Sequence, residues 1–470
     1  MPAMHTERRF EEAIELTLLA QGYVKRSARD YDADAALFTA DVLAWVQNSQ
    51  HKVWSALQKA LGTEDNIAAH LLKALKDHLA DSGSLHVLRH GFTCYGKKVR
   101  MAAFAPASGL NPETIALYKA NICAVARQIP CKPGTRDTVD AVLAVNGIPV
   151  VTLELKNQMT GQTADNAKRQ YENDRDPGAP LFRFNERPER TLAHFAVDTD
   201  VAWLCTRLNK KDTYWLPFNQ GYHFGKGNPP SPAGQYRTAY LWHEILCRES
   251  LLDLLARFIH LEVKRKKIVS GKAIKTITTE SLIFPRYHQL AAVRRLTGHA
   301  REYGAGHNYL VQHSAGSGKS NTIGWLAHHL ASLHNANNEK VFHSIVVVTD
   351  RVVIDRQLQD TIYQFEHKRG VVEKIDQDTR QLAEALASGV PIIISTIQKF
   401  PFIAASLERL TKEGHDISLA TKGKRFAVII DEAHSSQSGE TAKELRRVLN
   451  KDGIETVVAE QVLETQDDEN

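Results

Sequence analysis

Cysteine is scarce in this chain: five among 470 residues, at Cys94, Cys123, Cys131, Cys205 and Cys247. Their number is odd and no two stand at Cys-x-x-Cys spacing, which argues against a disulfide scaffold or a zinc ribbon and fits unpaired thiols in a reducing compartment. Long apolar runs are missing as well. No stretch approaches the roughly 20 residues that a membrane-spanning helix needs, and the start, Met1-Pro2-Ala3-Met4-His5, turns at once to charged residues without the apolar core of a signal peptide. A cytoplasmic location without membrane contact is therefore expected. Charge of one sign is also in short supply: 59 Lys and Arg against 54 Asp and Glu leave a formal +5, which only weakly favours a polyanionic partner. No internal repeat or low-complexity tract is present, and a composition of 43% hydrophobic and 24% charged residues is that of an ordinary globular protein. At this length two or three domains with cores of their own are expected.

What the chain does contain is two concentrations of chemistry. One is His313-Ser314-Ala315-Gly316-Ser317-Gly318-Lys319-Ser320. The apolar run Tyr309-Leu310-Val311 precedes it, and Ile323, Leu326, Leu330 and Leu333 recur at helical spacing after it, so the pattern predicts a strand, a glycine turn and a helix. Gly316, Ser317 and Gly318 are small enough to bring backbone N–H groups against a polyphosphate. Lys319 supplies a point charge for the outer phosphates and Ser320 a hydroxyl for Mg²⁺. The first glycine usual in such loops is replaced by His313. Downstream, Phe426-Ala427-Val428-Ile429-Ile430 reads as a strand ending in Asp431-Glu432-Ala433-His434. Adjacent carboxylates at a strand's C-terminal edge divide two tasks: Asp431 holds Mg²⁺, and Glu432 orients the water that attacks the γ-phosphate. Apolar β-branched runs at 344–350 and 391–396, separated by a helical pattern around 382–386, predict parallel βαβ units. Together these segments resemble the first motor domain of a superfamily 2 helicase.

The other concentration lies at 137–157. Two apolar runs flank Asn146-Gly147, a strong hairpin signal, so the chain folds back there and brings Asp140 near Glu154. In an extended second strand Glu154 and Lys156 share a face while Leu155 takes the other. Asp140 and Glu154 can then share a Mg²⁺ that polarises a phosphodiester, and Lys156 can position or help deprotonate the attacking water. An exposed Glu-x-Lys is commonly just part of a salt-bridge ladder. Here the charges flank Val150-Val151 and Leu153 in a strand apolar enough to be buried, where ions need a reason. The arrangement resembles the nuclease core whose signature is Asp followed by Glu-x-Lys. The expected fold class is therefore α/β: an N-terminal PD-(D/E)xK-type nuclease domain at 1–265 with its core at 85–215, a linker at 266–282, and a RecA-like parallel-sheet helicase lobe at 283–470.

The remaining segments are less specific. Residues 6–22 place Phe10, Ile14, Leu18 and Leu16 on a helix face that Gly22 ends; Glu11 and Glu12 in that helix read either as solvated acids or as an accessory residue of the metal site. Helical patterning continues over 33–79, with Trp45, Val53, Trp54, Leu57 and Leu61 as packing residues, and from Leu85 the texture turns to strands. Residues 191–216 add strands to the nuclease sheet, 219–235 form a surface loop, and 241–263 a helix. Lys264-Arg265-Lys266-Lys267 is either a solvated helix end or a holder of a phosphate backbone.

A nuclease ahead of a helicase motor resembles the restriction (motor) subunit of type I restriction enzymes. The resemblance is carried by Ser108-Gly109-Leu110-Asn111-Pro112-Glu113, Val145-Asn146-Gly147-Ile148-Pro149, Leu153-Glu154-Leu155-Lys156-Asn157, Thr160-Gly161-Gln162, Asp174-Arg175-Asp176-Pro177 and Pro285-Arg286-Tyr287-His288-Gln289. It covers nearly the whole chain. What it implies is ATP-driven translocation of duplex DNA followed by double-strand cleavage, in defence against foreign unmethylated DNA in a bacterial or archaeal cytoplasm. The implied cofactors are ATP and Mg²⁺, with S-adenosylmethionine bound elsewhere in the whole complex; the implied partners are double-stranded DNA and the methyltransferase and specificity subunits. On the same resemblance Gln289 hydrogen-bonds the adenine edge, Arg351 and Lys399 touch the DNA backbone, and Gln170 joins the nuclease site. Members usually carry Gln-x-x-x-Tyr there, whereas Gln170 is followed at once by Tyr171, so Tyr171 is not carried over. The chain stops soon after Asp431 and is expected to lack a second motor lobe, hence not to hydrolyse ATP in isolation. Two other readings stay open: a DNA-repair helicase-nuclease, and a non-catalytic fragment that binds DNA or a methyltransferase.

Overall fold

In a computed structural model the chain folds as two units, Met1–His288 and Gln289–Asn470. The structure describes residues 7–183, 190–223, 225–232, 234–270, 273–314, 316–349, 358, 361–362, 370–375, 378–402, 406 and 424–431, and Arg351 and Glu432 lie outside them. The strands of the first unit are β1 (Val24–Arg26), β2 (Phe92–Cys94), β3 (Lys97–Val99), β4 (Cys123–Pro130), β5 (Thr138–Val145), β6 (Ile148–Leu155), β7 (Ala193–Val197), β8 (Ala202–Cys205), β9 (Leu216–Pro217), β10 (His260–Ser270) and β11 (Ala273–Ile283). Seven of them make one mixed sheet in the order β1-β4-β5-β6-β7-β8-β9.

The centre of that sheet is the expected hairpin. Asn146 at φ 48 and Gly147 at φ 85 form a two-residue turn between β5 and β6, the left-handed pair that matches strand twist. Gly147 is also required for space, because a Cβ there would lie 2.5 Å from the Phe38 carbonyl oxygen and from Val42 Cγ2. Every residue of β6 is buried. The helix Ala164–Asn173 carries the chain from β6 to its parallel neighbour β7 and packs Ala167 and Tyr171 into a core with Val142, Ala144, Phe182 and Ala196. The N-terminal helix Glu7–Ala20 packs on β4 and β6. Phe10, Ile14 and Leu18 are buried on it together with Glu11 and Glu15. Leu16, expected on that face, is instead 66% exposed, two residues from Ile14 and so across the helix from it.

Three further expectations are corrected. The helix Glu64–His90 runs past Leu85 with a kink at Gly83: Leu71, Leu75 and Leu79 line the buried face before the kink, and Leu85 and Leu88, three apart, form a second one after it. Helical turns from Leu241 stop at Phe258, and in place of the expected helix end and linker there is an antiparallel hairpin, β10 with β11, in register from His260↔Ile283 to Ser270↔Ala273. Its β-branched residues, among them Val263, Ile268, Val269, Ile274 and Ile277, favour a strand over a helix end. The base of the hairpin is anchored by Phe284, whose ring meets Phe195 and Phe218 edge-on.

The second unit has β12 (Ser344–Thr349), β13 (Val372–Lys374), β14 (Ile392–Thr396) and β15 (Phe426–Ile430), all parallel in the order β13-β14-β12-β15. Apolar clusters lie about Leu382, Leu386 and Phe400, and about Ala327, Leu330 and Ile345. The run Tyr309-Leu310-Val311 is not a strand; Leu310 is 82% exposed, and three residues between Asn308 and Gln312 are too few to form one without a partner. No described helix is long and apolar enough to cross a membrane. All five cysteines are free thiols, four of them buried.

Candidate nuclease centre and nucleotide loop

Hairpin register brings the three expected nuclease residues together. Beyond an irregularity between Leu143 and Ala144, Ala141 faces Leu153, so Asp140 and Glu154 follow as neighbours. Asp140 Oδ2 accepts the Leu155 N–H at 2.7 Å and lies 3.9 Å from Lys156 Nζ. Lys156 donates to Glu7 Oε1 at 2.8 Å. Glu154 is fully buried, 0% exposed; its Oε1 accepts from Arg175 Nε at 2.7 Å, while Oε2 has no hydrogen-bond partner among the described residues. Burial pushes the Glu154 carboxyl well above the usual range, Asp140 adds to the rise, and Arg175 opposes it. Gln170 is half-buried on the helix Ala164–Asn173, and its side chain is in no hydrogen bond with the triad. Tyr171 beside it is a core residue, its hydroxyl 2.8 Å from Thr152 Oγ1, which in turn lies 2.7 Å from His194 Nδ1.

The structure adds residues that sequence reasoning missed or left open. Oxygens of Glu7, Glu11 and Asp140 all lie within 4.8 Å of one another. Glu11 is held by Arg127, with Nη2 at 2.7 Å; its pKa is raised, by burial first and by the charge of Asp140, with Arg127 and Gln128 opposing. Between the pairs Arg127↔Ala141 and Ile129↔Val139, Gln128 breaks the ladder opposite Asp140 and has φ 53. Its Nε2 donates to Glu11 Oε1 and to Asp140 Oδ1, each at 3.3 Å, while its Oε1 accepts from Thr138 Oγ1 at 2.8 Å. A non-glycine residue at positive φ costs roughly 1–2 kcal/mol and persists where surrounding contacts enforce it. The i, i+4 spacing of Glu7 and Glu11 was the one local signal that both acids share a helix face.

Several carboxylates with a buried oxygen left unsatisfied form a hard-oxygen donor set, the chemistry of a Mg²⁺-like cation and not of a zinc site. The residues present therefore fit a divalent cation. The grouping differs from the expected Asp140 and Glu154 pair in one respect: it is Glu7 and Glu11 whose oxygens cluster with Asp140, while Glu154, held by Arg175 through one oxygen, is outside that cluster.

In the second unit the helix Lys319–Ala331 begins on Gly318 at φ 85, with Gly316 at φ 72 just before. Lys319 and Ser320 occupy the first turn, where backbone N–H groups have no intrahelical partner and attract anions. Gln289 is buried, and its Nε2 donates to the Gly318 carbonyl at 2.9 Å. A Cβ on residue 318 would come within 2.6 Å of that nitrogen, the movable end of a flexible side chain, so it is the left-handed conformation that chiefly calls for glycine here. Asp431 follows β15, its N–H bonded to the Val348 carbonyl at 3.0 Å, at the C-terminal edge of the sheet. Lys399 Nζ donates to the Ile375 carbonyl at 2.7 Å.

Comparison with known proteins agrees with both halves. Residues 6–213 match the family described as type I restriction enzyme R protein N terminus, and residues 288–454 match the SWI2/SNF2 ATPase family. The type I restriction enzyme HindI endonuclease subunit of Haemophilus influenzae is 29% identical over 330 residues, covering 67% of this chain and 28% of that protein. The SauMSSORF170P endonuclease subunit of Staphylococcus aureus (strain MSSA476) is 24% identical over 318 residues, with 67% and 29% covered. The putative MjaIXP endonuclease subunit of Methanocaldococcus jannaschii is 24% identical over 324 residues, with 66% and 28% covered. The chain thus spans less than a third of the length of these relatives.

Proposed function

For a chain that belongs to the family of type I restriction enzyme endonuclease subunits, we propose a division of labour in which the first unit cuts DNA and the second is the first lobe of an ATP-driven, DNA-translocating motor. The observation that carries the nuclease half is the convergence of buried Asp140, Glu154 and Lys156 at the ends of two paired strands. Asp140 and Glu154, with Glu7 and Glu11 beside them, would hold a divalent cation, here Mg²⁺, which supplies Lewis-acid polarisation of a phosphodiester. Lys156 Nζ orients the attacking water, and its charge offsets the negative charge that grows on the phosphate oxygens. Gln170, half-buried on the neighbouring helix, completes the expected set.

In the motor unit Gly316, Ser317, Gly318 and Lys319 cradle the phosphates of ATP, and Ser320 and Asp431 hold its Mg²⁺. Gln289 reads the adenine edge and, through the Gly318 carbonyl, ties it to the phosphate loop. Glu432 orients the water for hydrolysis. Arg351 and Lys399 touch the DNA backbone. The complete protein acts with methyltransferase and specificity subunits against foreign unmethylated DNA in the cytoplasm, and S-adenosylmethionine belongs to the complex and not to this chain.

The test is to purify the tagged complete protein from its native host, identify what accompanies it by mass spectrometry, and assay cleavage of methylated and unmethylated circular DNA. Methyltransferase and specificity subunits should be present, and unmethylated DNA should be cut only with ATP and Mg²⁺. ATP-dependent degradation from free ends without those subunits would contradict this reading and favour a repair nuclease.

A further inference from the structure

We infer that Arg175 is a positioning residue of the nuclease centre, gripping one oxygen of Glu154 so that the other is presented to the divalent cation beside Asp140. This rests on the nuclease reading above. Arg175 lies in the turn just after the helix Ala164–Asn173 and is 5% exposed. Its guanidinium makes two bonds to two different strands: Nε to Glu154 Oε1 on β6 at 2.7 Å, and Nη2 to the Thr138 carbonyl on β5 at 2.7 Å. Thr138 precedes Asp140 by two residues on that strand. One planar fork thus spans the strand that carries Asp140 and the strand that carries Glu154, and sets the spacing of the two carboxylates.

Charge pairing around the centre is specific. Lys156 holds Glu7 and Arg127 holds Glu11, so Arg175 is the cation bonded to Glu154. In a purely structural buried ion pair both carboxylate oxygens are normally satisfied. Here Oε1 is satisfied and Oε2, in a side chain with no solvent exposure, is not. A metal ligand held from behind through its second oxygen has this arrangement, and such supporting partners commonly change metal affinity about 10–100-fold when removed. Lysine could replace the charge but not the two-pronged reach to Thr138 and Glu154.

The probe is Mn²⁺ binding to residues 1–470 without nucleotide, read by the electron paramagnetic resonance of free Mn²⁺, with thermal unfolding measured on the metal-free chain. Arg175→Lys should keep the unfolding midpoint near that of the parent, weaken Mn²⁺ binding about tenfold or more, and, in the complete restriction complex, lower kcat for cleavage while KM for DNA and ATP hydrolysis stay unchanged. Should the lysine variant unfold early, Arg175→Gln, which keeps a neutral donor for Oε1, reads the same loss. Parent-like Mn²⁺ affinity and cleavage in either folded variant overturns the inference and leaves Arg175 a structural partner. Asp140→Asn and Glu154→Gln separate the two levels. If these also leave Mn²⁺ binding untouched, it is the nuclease reading that fails; if they abolish it while Arg175 variants do not, only the role of Arg175 is lost.

Discussion

The ammonium of Lys156 is bonded to Glu7, 149 positions earlier in the chain, at 2.8 Å, and stands 3.9 Å from Asp140. The first turn of the N-terminal helix is therefore part of the proposed nuclease centre. Glu7→Gln removes the negative charge that pairs with Lys156 and leaves an amide oxygen that can still accept from its ammonium. Cleavage by the complete enzyme should fall about tenfold or more, with ATP hydrolysis unchanged. Single-turnover cleavage rates check this, and a parent-like rate would reduce Glu7 to a surface partner of the lysine.

Lys319 begins the helix that follows the phosphate loop. Lys319→Ala should abolish ATP hydrolysis and, if cutting follows translocation as proposed, cleavage of circular DNA too. A steady-state phosphate-release assay beside a plasmid assay reads both, and normal restriction by this variant would mean that the loop has been misassigned.

Gln128 is held at φ 53 opposite Asp140, a conformation that glycine adopts without cost. Gln128→Gly should leave the thermal midpoint at or above that of the parent, while Mn²⁺ affinity falls because the tether between Glu11 and Asp140 is gone. A lowered midpoint with unchanged affinity would assign Gln128 to packing alone.

Burial drives the His194 pKa down to about 3 from an ordinary 6.5. The unfolded chain therefore binds a proton that the folded chain refuses between those values, and the contribution of His194 to stability, full above about pH 6.5, is lost as pH falls toward 3. At pH 4.5 the loss is about 3 kcal/mol. Glu154, whose pKa is raised, acts in the opposite sense, so the comparison is with His194→Asn, whose amide can still meet Thr152. Urea unfolding between pH 7.5 and 4.5 should weaken more steeply in the parent than in the variant; parallel slopes would exclude His194.

What was legible in the sequence was what neighbours decide. The Asn-Gly turn and the period of two bring Asp140, Glu154 and Lys156 together, and the glycines before Lys319 announce a helix start, because each follows from a few adjacent residues. The places of Arg175, Gln128 and Glu7 beside Asp140 and Glu154 were not legible. Arg175 reaches Glu154 only once the crossover from β6 to β7 has folded, and the left-handed turn at Gln128 exists only against Asp140 on the next strand. The hairpin β10–β11 is masked by its basic run, because Lys264-Arg265-Lys266-Lys267 interrupts the apolar alternation while the β-branched residues on either side favour the strand. Tyr309-Leu310-Val311 shows the converse error: three apolar residues satisfy a pattern without having a partner to pair with.

The most direct test of the account is Lys156→Ala in the complete restriction complex, with DNA cleavage and DNA-stimulated ATP hydrolysis measured on the same preparation. The two activities are assigned to separate units, so cleavage should disappear while ATP hydrolysis continues at the parent rate. Loss of both activities in a folded, assembled complex, or cleavage at the parent rate, would contradict it.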